Sequence, residues 1–163
     1  MAVTVTLVVG ADGSTSKNGN SAGVSSTADR SEFLSRRRTA DCIIIGGATA
    51  RVEPYHHTPV PVVVISRSLI NPLADNRLAH CWNLSPEKAL DRAIATFGPN
   101  VHIEAGVSVV NELIRTGRVD CIEISITEIT GGSGVIDIEG LLSNFSHRSE
   151  NIKGGTRFIS AYR

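Results

Sequence analysis

The chain has 163 residues, 41% of them hydrophobic and 20% charged, enough apolar material for one domain to fold around its own core. Sixteen Lys and Arg balance 16 Asp and Glu, which excludes a protein that holds a nucleic-acid backbone by bulk charge. With 4% aromatic residues there is no base-stacking platform, and no run approaches the ~20 apolar residues of a membrane helix.

The N-terminal MAVTVTLVVG lacks the basic segment of a signal peptide, and its β-branched residues 3–9 read as a buried first strand. Residues 10–23 hold four glycines among Ser, Thr and Asn and form a long polar loop, a length usually kept for function or mobility. Ser26 opens a capping box closed by Asp29. The helix that follows turns Phe33 and Leu34 inward and ends on Arg36, Arg37 and Arg38, where the dipole favours cations. A phosphate-binding role for that triplet is the alternative.

CIII at 42–45 is a second buried strand, stopped by Gly46-Gly47 and followed by a helical turn from Ala48 to Pro54. Residues 60–65 are a third strand running into Ser66-Arg67, whereas 68–83 show no period and predict no element. Cys81 and Trp82 there read as a local packing cluster. Ser85-Pro86 starts a helix whose Leu90, Ala93, Ile94 and Phe97 share one face. Gly98-Pro99 closes it. Residues 101–104 are a short strand, and a helix from about Val107 to Gly117 presents Val109, Val110, Leu113 and Ile114. CIEISITEI at 121–129 alternates as a half-exposed strand does, GGSG at 131–134 turns the chain, and 157–162 form a last strand. Strands alternating with helices predict a single α/β domain over residues 1–163 with a largely parallel sheet and antiparallel edges at its C-terminal end.

Cys42, Cys81 and Cys121 form no CxxC pair; Cys42 and Cys121 lie in apolar runs and read as reduced core thiols, as in a cytoplasmic protein. His56-His57 point apart on an extended chain, so no metal is expected there. His102-Ile103-Glu104 fits the HxE of zinc deaminases, but no PCxxC follows.

Open α/β sheets bind ligands beyond the carboxyl ends of their strands. IIIGGATAR and HIEAGVSVV each place small residues between a strand and a helix, where backbone N–H groups approach a phosphate closely. Neither is a GxGxxG or P-loop sequence, and each alone is equally a tight connection. VVVISRS adds a hydroxyl and a guanidinium at a third strand end, the chemistry that reads a 2′-phosphate. Together these describe a dinucleotide held at three points.

In this order, ADG at 11–13, SSTADRSEFLSRRRTADCIIIGGATARVEPY, PVVVISR, VHIEAGVSVVNELIRTGRVD and GGSG resemble the reductase domain of riboflavin biosynthesis, in the dihydrofolate-reductase-like superfamily. The resemblance implies a three-layer fold with a central, mostly parallel mixed sheet flanked by helices. It also implies NADPH-dependent reduction of a phosphoribosylamino-pyrimidine, and a homodimer. By the same resemblance Gly46, Gly47, Ala48 and Thr49 face the coenzyme, Ser66 and Arg67 its 2′-phosphate, and Ala105, Gly106, Val107 and Ser108 its nicotinamide and pyrophosphate. Gly13, Asp29, Glu53 and Tyr55 would meet the substrate. Two departures stand out: the first loop has Gly10 and Ser14 where the family has Ser and Lys, and Glu104-Ala105-Gly106 replaces Glu-Gly-Gly. The chain is also shorter than usual between Arg67 and Ser85.

Such a reduction needs a proton as well as a hydride, and Asp12 and Glu104 are the carboxyl candidates. Asp12 is equally an Asp-Gly turn residue, and Glu104 and Asp29 are equally helix caps. Two rivals remain, a dihydrofolate reductase proper, which would carry a first-loop Pro-Trp absent here, and a nucleotide-binding module without turnover.

Overall fold

The computed structural model describes residues 2–68 and 70–163; the first residue of the N-terminal segment, Met1, and Leu69 within 68–83 lie outside the described residues. The chain forms two compact units, Met1–Thr4 with Arg36–Val119, and Val5–Ser35 with Asp120–Arg163.

The first unit takes the start of β1 (Ala2–Val9) and the last residues of α1 (Thr27–Arg37). It then runs β2 (Cys42–Gly46), α2 (Gly47–Val52), β3 (Val62–Ile65), β4 (Ala79–Trp82), α3 (Pro86–Phe97), β5 (Asn100–Ile103) and α4 (Val107–Arg115). Its strands lie in the order β4-β3-β2-β5-β1, and the β4-β3, β3-β2 and β2-β5 pairs are parallel. A central parallel strand is covered on both faces, which is why CIII is an unbroken apolar run and why Cys42, Ile43, Ile44 and Ile45 are fully buried. Ile43 and Ile45 pack with Val62 and Val64 of β3, Ala50, Tyr55 and Leu73. α3 begins as its sequence predicts, with Ser85 Oγ accepting the Lys88 N–H and Pro86 in the first turn.

The second unit holds the rest of β1, a 3₁₀ turn (Ser21–Val24), most of α1, β6 (Cys121–Ile126), α5 (Ile138–Leu142), β7 (His147–Lys153) and β8 (Thr156–Tyr162). Here the order is β1-β6-β8-β7, with β8 antiparallel to both β6 and β7. The sheet is thus mixed, α/β with an antiparallel end, as the alternation of elements predicts.

Three elements are absent from the sequence reading. β4 is four residues without a period, α5 is five residues long, and β7, HRSENIK, is exposed along its whole length and shows no apolar alternation. β7 exists because Gly154 and Gly155, at φ +59° and +76°, fold it back on β8 as a two-residue hairpin. β6 stops at Ile126, short of the predicted Ile129. Cys42 is buried as expected, its thiol pushed up to about 12 by burial, but Cys121 is only half-buried, on the strand that pairs with β8. No helix of the described residues is long and apolar enough to cross a membrane.

Candidate functional site

Register brings the three predicted binding segments to one edge of the first unit. Gly46 is opposite Ile65 on β3, and Ile44 is opposite Ile103 on β5, so the chain leaves three neighbouring parallel strands at the same level. The exits are Gly46-Gly47, Ser66-Arg67 and Glu104-Ala105-Gly106. With parallel strands about 4.8 Å apart, they span about 10 Å, the scale of a dinucleotide's phosphates.

Two of these exits are helix starts without a cap. Gly46 precedes α2 and Gly106 precedes α4; both are extended (φ −87°, ψ 165° and φ −64°, ψ 167°), and neither start receives a side-chain cap hydrogen bond. A Cβ placed on Gly46 or Gly106 would meet no atom within 4 Å. The first-turn N–H groups thus receive no capping Ser or Asp oxygen, and a phosphate oxygen satisfies such groups. α4, nine residues long, adds a positive dipole end to its start. Gly47 serves a different need, because a Cβ there would come within 3.1 Å of Ser66 Oγ and 3.3 Å of Arg51 Nη1. A side chain at this position would press on both groups, so glycine leaves them room where α2 starts beside the end of β3. Ser66 Oγ accepts the Ser68 N–H at 3.1 Å, which leaves its own O–H to donate outward. These features fit a phosphorylated dinucleotide; among the described residues no three His, Cys, Asp or Glu side chains gather as metal ligands.

Behind this edge lies a buried charged cluster. Arg37, at the end of α1, donates from Nε to both Glu104 oxygens at 3.1 and 3.2 Å and from Nη2 to Oε2 at 2.7 Å. Tyr55 donates its O–H to the same Oε2 at 2.6 Å, and the Arg37 guanidinium lies over the Tyr55 ring, 4.7 Å from its centroid. The Arg37 and Glu104 side chains are 6% and 3% exposed. Burial opposes the charge on Arg37, but the hydrogen bonds and charge of Glu104 outweigh it and hold the guanidinium above its ordinary value. Burial and the neighbouring carboxylate push the Tyr55 phenol well above 10.0. Asn76, itself buried, fixes Tyr55 from the other side: its Nδ2 donates to the Tyr55 carbonyl at 2.9 Å and to Thr58 Oγ1 at 3.0 Å. Its Oδ1 accepts the Leu78 N–H.

Glu104 thus accepts hydrogen bonds from a guanidinium and a phenol, and it does not cap α4, whose start has no side-chain cap hydrogen bond. Tyr55, expected to meet the substrate, is buried at 4% exposure with its hydroxyl turned to Glu104. Glu53 ends α2, its N–H on the Thr49 carbonyl, at the half-exposed end of that helix. Ala48 and Thr49 lie in the first turn of α2, and Val107 and Ser108 in the first turn of α4.

Asp12, Gly13 and Asp29 belong to the second unit. Asp12 accepts Ser14 Oγ–H at 2.6 Å, Ser14 N–H at 3.2 Å and, on its other oxygen, Gly131 N–H at 2.8 Å. These bonds, the Ser14 hydroxyl first, lower its carboxyl to about 2, so it is ionised at neutral pH and builds the loop instead of serving as a proton donor. Gly13 stands at φ +83°, and its carbonyl accepts the Ile136 N–H. Ser14, in place of the expected Lys, is fully buried, and Lys17 ties its amine to the Thr130 carbonyl at 2.7 Å. Asp29 is the predicted cap: its N–H donates to Ser26 Oγ at 3.1 Å and its buried carboxylate takes the Ser25 hydroxyl.

Arg51 and Asn76 escaped the reading of the sequence as site residues, and Arg37, expected at a solvated helix end with phosphate binding as the alternative, is instead buried against Glu104. Arg51 carries a legible signal, being one helical turn after Gly47. Arg37 and Glu104 are 67 positions apart, and nothing local in the sequence couples them.

A mixed α/β sheet whose parallel strand ends carry glycine-started helices is the fold shared with dihydrofolate-reductase-like proteins. The chain belongs to the RibD C-terminal domain family, which matches residues 1–153. Similar solved structures include a diaminohydroxyphosphoribosylaminopyrimidine deaminase/5-amino-6-(5-phosphoribosylamino)uracil reductase from Thermotoga maritima (13% identity, TM-score 0.69, 99% of this chain and 56% of that one). A pyrimidine reductase-like protein from Corynebacterium diphtheriae is 17% identical (TM-score 0.71, 99% and 91% covered). A dihydrofolate reductase from Enterococcus faecalis complexed with NADP(H) is 16% identical (TM-score 0.69, 99% and 96% covered). The chain thus spans just over half of the bifunctional Thermotoga protein. No curated protein matches it.

Proposed function

We propose that the protein is an NADPH-dependent reductase of the riboflavin-biosynthesis type, converting the ribosyl group of a phosphoribosylamino-pyrimidine to a ribityl group. The observation that carries this reading is the alignment of the three strand exits, two of them uncapped glycine helix starts and the third a Ser-Arg pair. Membership of the RibD C-terminal domain family and a neighbour crystallised with NADP(H) support it.

In this reading the bound coenzyme supplies a hydride, and the protein supplies position and charge. The N–H groups after Gly46 and Gly106 hold phosphate oxygens, and Ser66 and Arg67 take the 2′-phosphate. Glu104 holds the exit of β5 rigid through Arg37 and Tyr55, so that Ala105 and Gly106 present a fixed backbone. Asp12 shapes the first loop and Gly13 turns it; the proton comes from water. Asp29 fixes the start of α1, and Glu53 stands at the rim. The reading also includes a cytoplasmic homodimer, to be checked by light scattering on the purified chain.

Trp82, the sole tryptophan, ends β4, where its carbonyl accepts the Ser66 N–H, so its fluorescence reports on this edge. Titration should give NADPH binding at least about tenfold tighter than NADH, as a charge-assisted contact to one phosphate requires. Oxidation of NADPH with 5-amino-6-(5-phosphoribosylamino)uracil, and not with dihydrofolate, completes the test; equal use of both coenzymes rejects the role of Arg67. Turnover of dihydrofolate instead would select a dihydrofolate-reductase-type enzyme. A second reading, a nucleotide-binding module without turnover, is favoured by the commitment of Asp12 and Glu104 to internal bonds. Binding without oxidation of NADPH would select it.

A further inference from the structure

We propose that Arg51 is a specificity residue for the coenzyme's 2′-phosphate, closing over it from α2 opposite Ser66; this rests on the coenzyme reading above. Arg51 lies in the last turn of α2, and its side chain leans back over the preceding turn towards Gly47, as helical side chains do. Nη1 lies 3.3 Å from the position of a Gly47 Cβ, and Ser66 Oγ lies 3.1 Å from the same point. Both donors are therefore within reach of a single phosphate group, with the bare Gly47 backbone as its floor.

Charge makes the arrangement informative. Arg51 is exposed and, among the described residues, has no acidic partner; the same holds for Arg67, next to Ser66. The other basic side chains near acids are paired, Arg37 with Glu104 and Arg118 with Asp91 among them. A guanidinium without an acidic partner and a hydroxyl on either side of one point suit a dianionic monoester better than a diester or a bare ribose hydroxyl. A 2′-phosphorylated adenosine has that group; an unphosphorylated one does not. Gly47 thus leaves room for the guanidinium, which a Cβ there would crowd at 3.3 Å.

The probes are adenosine 2′,5′-bisphosphate and adenosine 5′-monophosphate, titrated against Trp82 fluorescence and calorimetry, with circular dichroism to verify folding. The wild-type chain should prefer the bisphosphate. Arg51→Gln should lose at least about tenfold in bisphosphate affinity with the monophosphate unchanged, and Arg51→Lys should recover part of it. If Arg51→Gln keeps the wild-type preference, Arg51 has no such role while the coenzyme reading stands. If it weakens both probes equally, the residue serves another phosphate and the proposal is overturned. A wild-type chain indifferent to the 2′-phosphate overturns the proposal and the coenzyme reading together.

Discussion

The Arg37 guanidinium and the Glu104 carboxylate form a buried pair, joined by three hydrogen bonds of 2.7 to 3.2 Å. The bond joins the end of a helix to the exit of a parallel strand and holds that exit beside Gly106. Removing one partner leaves the other charge without a counter-ion in a water-poor site. Glu104→Ala should therefore destabilise the fold by about 3–5 kcal/mol, measured by urea denaturation. Combining it with Arg37→Met should recover much of that loss, because no charge is then left unpaired. A double variant as unstable as the sum of the two singles would contradict this account of the pair.

Asp12 supplies a test in pH. Its folded carboxyl is lowered to about 2 from 3.8, so its contribution is present above the unfolded value and is lost as pH falls towards 2. Asp12→Asn should show a lower Tm than wild type at pH 6, and the two melting temperatures should converge as acid is added. A difference constant across that range would mean the carboxylate charge is not what the loop uses.

Tyr55 gives the opposite sign. Its phenol is raised well above 10.0, so the stability tied to its protonated form is complete below pH 10 and falls as pH rises beyond it. The chain has two tyrosines, and Tyr162→Phe leaves Tyr55 as the only tyrosinate absorber. In that background Asn76→Ala should move the titration of Tyr55 down towards its ordinary value, as its anchored carbonyl is released and water reaches the ring. The substitution should also cost about 1–3 kcal/mol for the partners it leaves bare. An unchanged titration in a folded variant would show that Asn76 does not position Tyr55.

Gly46 and Gly106 separate binding from folding. Both are extended and face open space, so Leu fits either site without backbone strain, at a cost of about 1 kcal/mol for a poorer N-cap. The same side chain would fill the cradle. Gly106→Leu should melt within a few degrees of wild type and lose NADPH affinity by at least about tenfold, read by Trp82 fluorescence. Retained affinity would place the coenzyme elsewhere.

How far the site could be read from sequence followed the range of the interactions. Ser26 capping through Asp29, Ser85-Pro86 starting α3 and CIII as a covered strand all follow from contacts within a few residues, and the structure has them where the sequence puts them. The glycine-bearing strand ends were legible for the same reason. β7 was not, because its residues carry no apolar alternation and its existence depends on the pairing with β8.

Sequence alone therefore determined the alternating elements, the strand-end turns and the family, since these depend on side-chain period, turn chemistry and the order of motifs. Tertiary structure decided what the charged groups do. It paired Glu104 with an arginine 67 positions away, spent Asp12 on its own loop and turned Arg51 back beside Ser66. The physical reason is that the state of a carboxylate or guanidinium is set by burial and by partners brought close only when strands align. A linear chain carries no record of those distances.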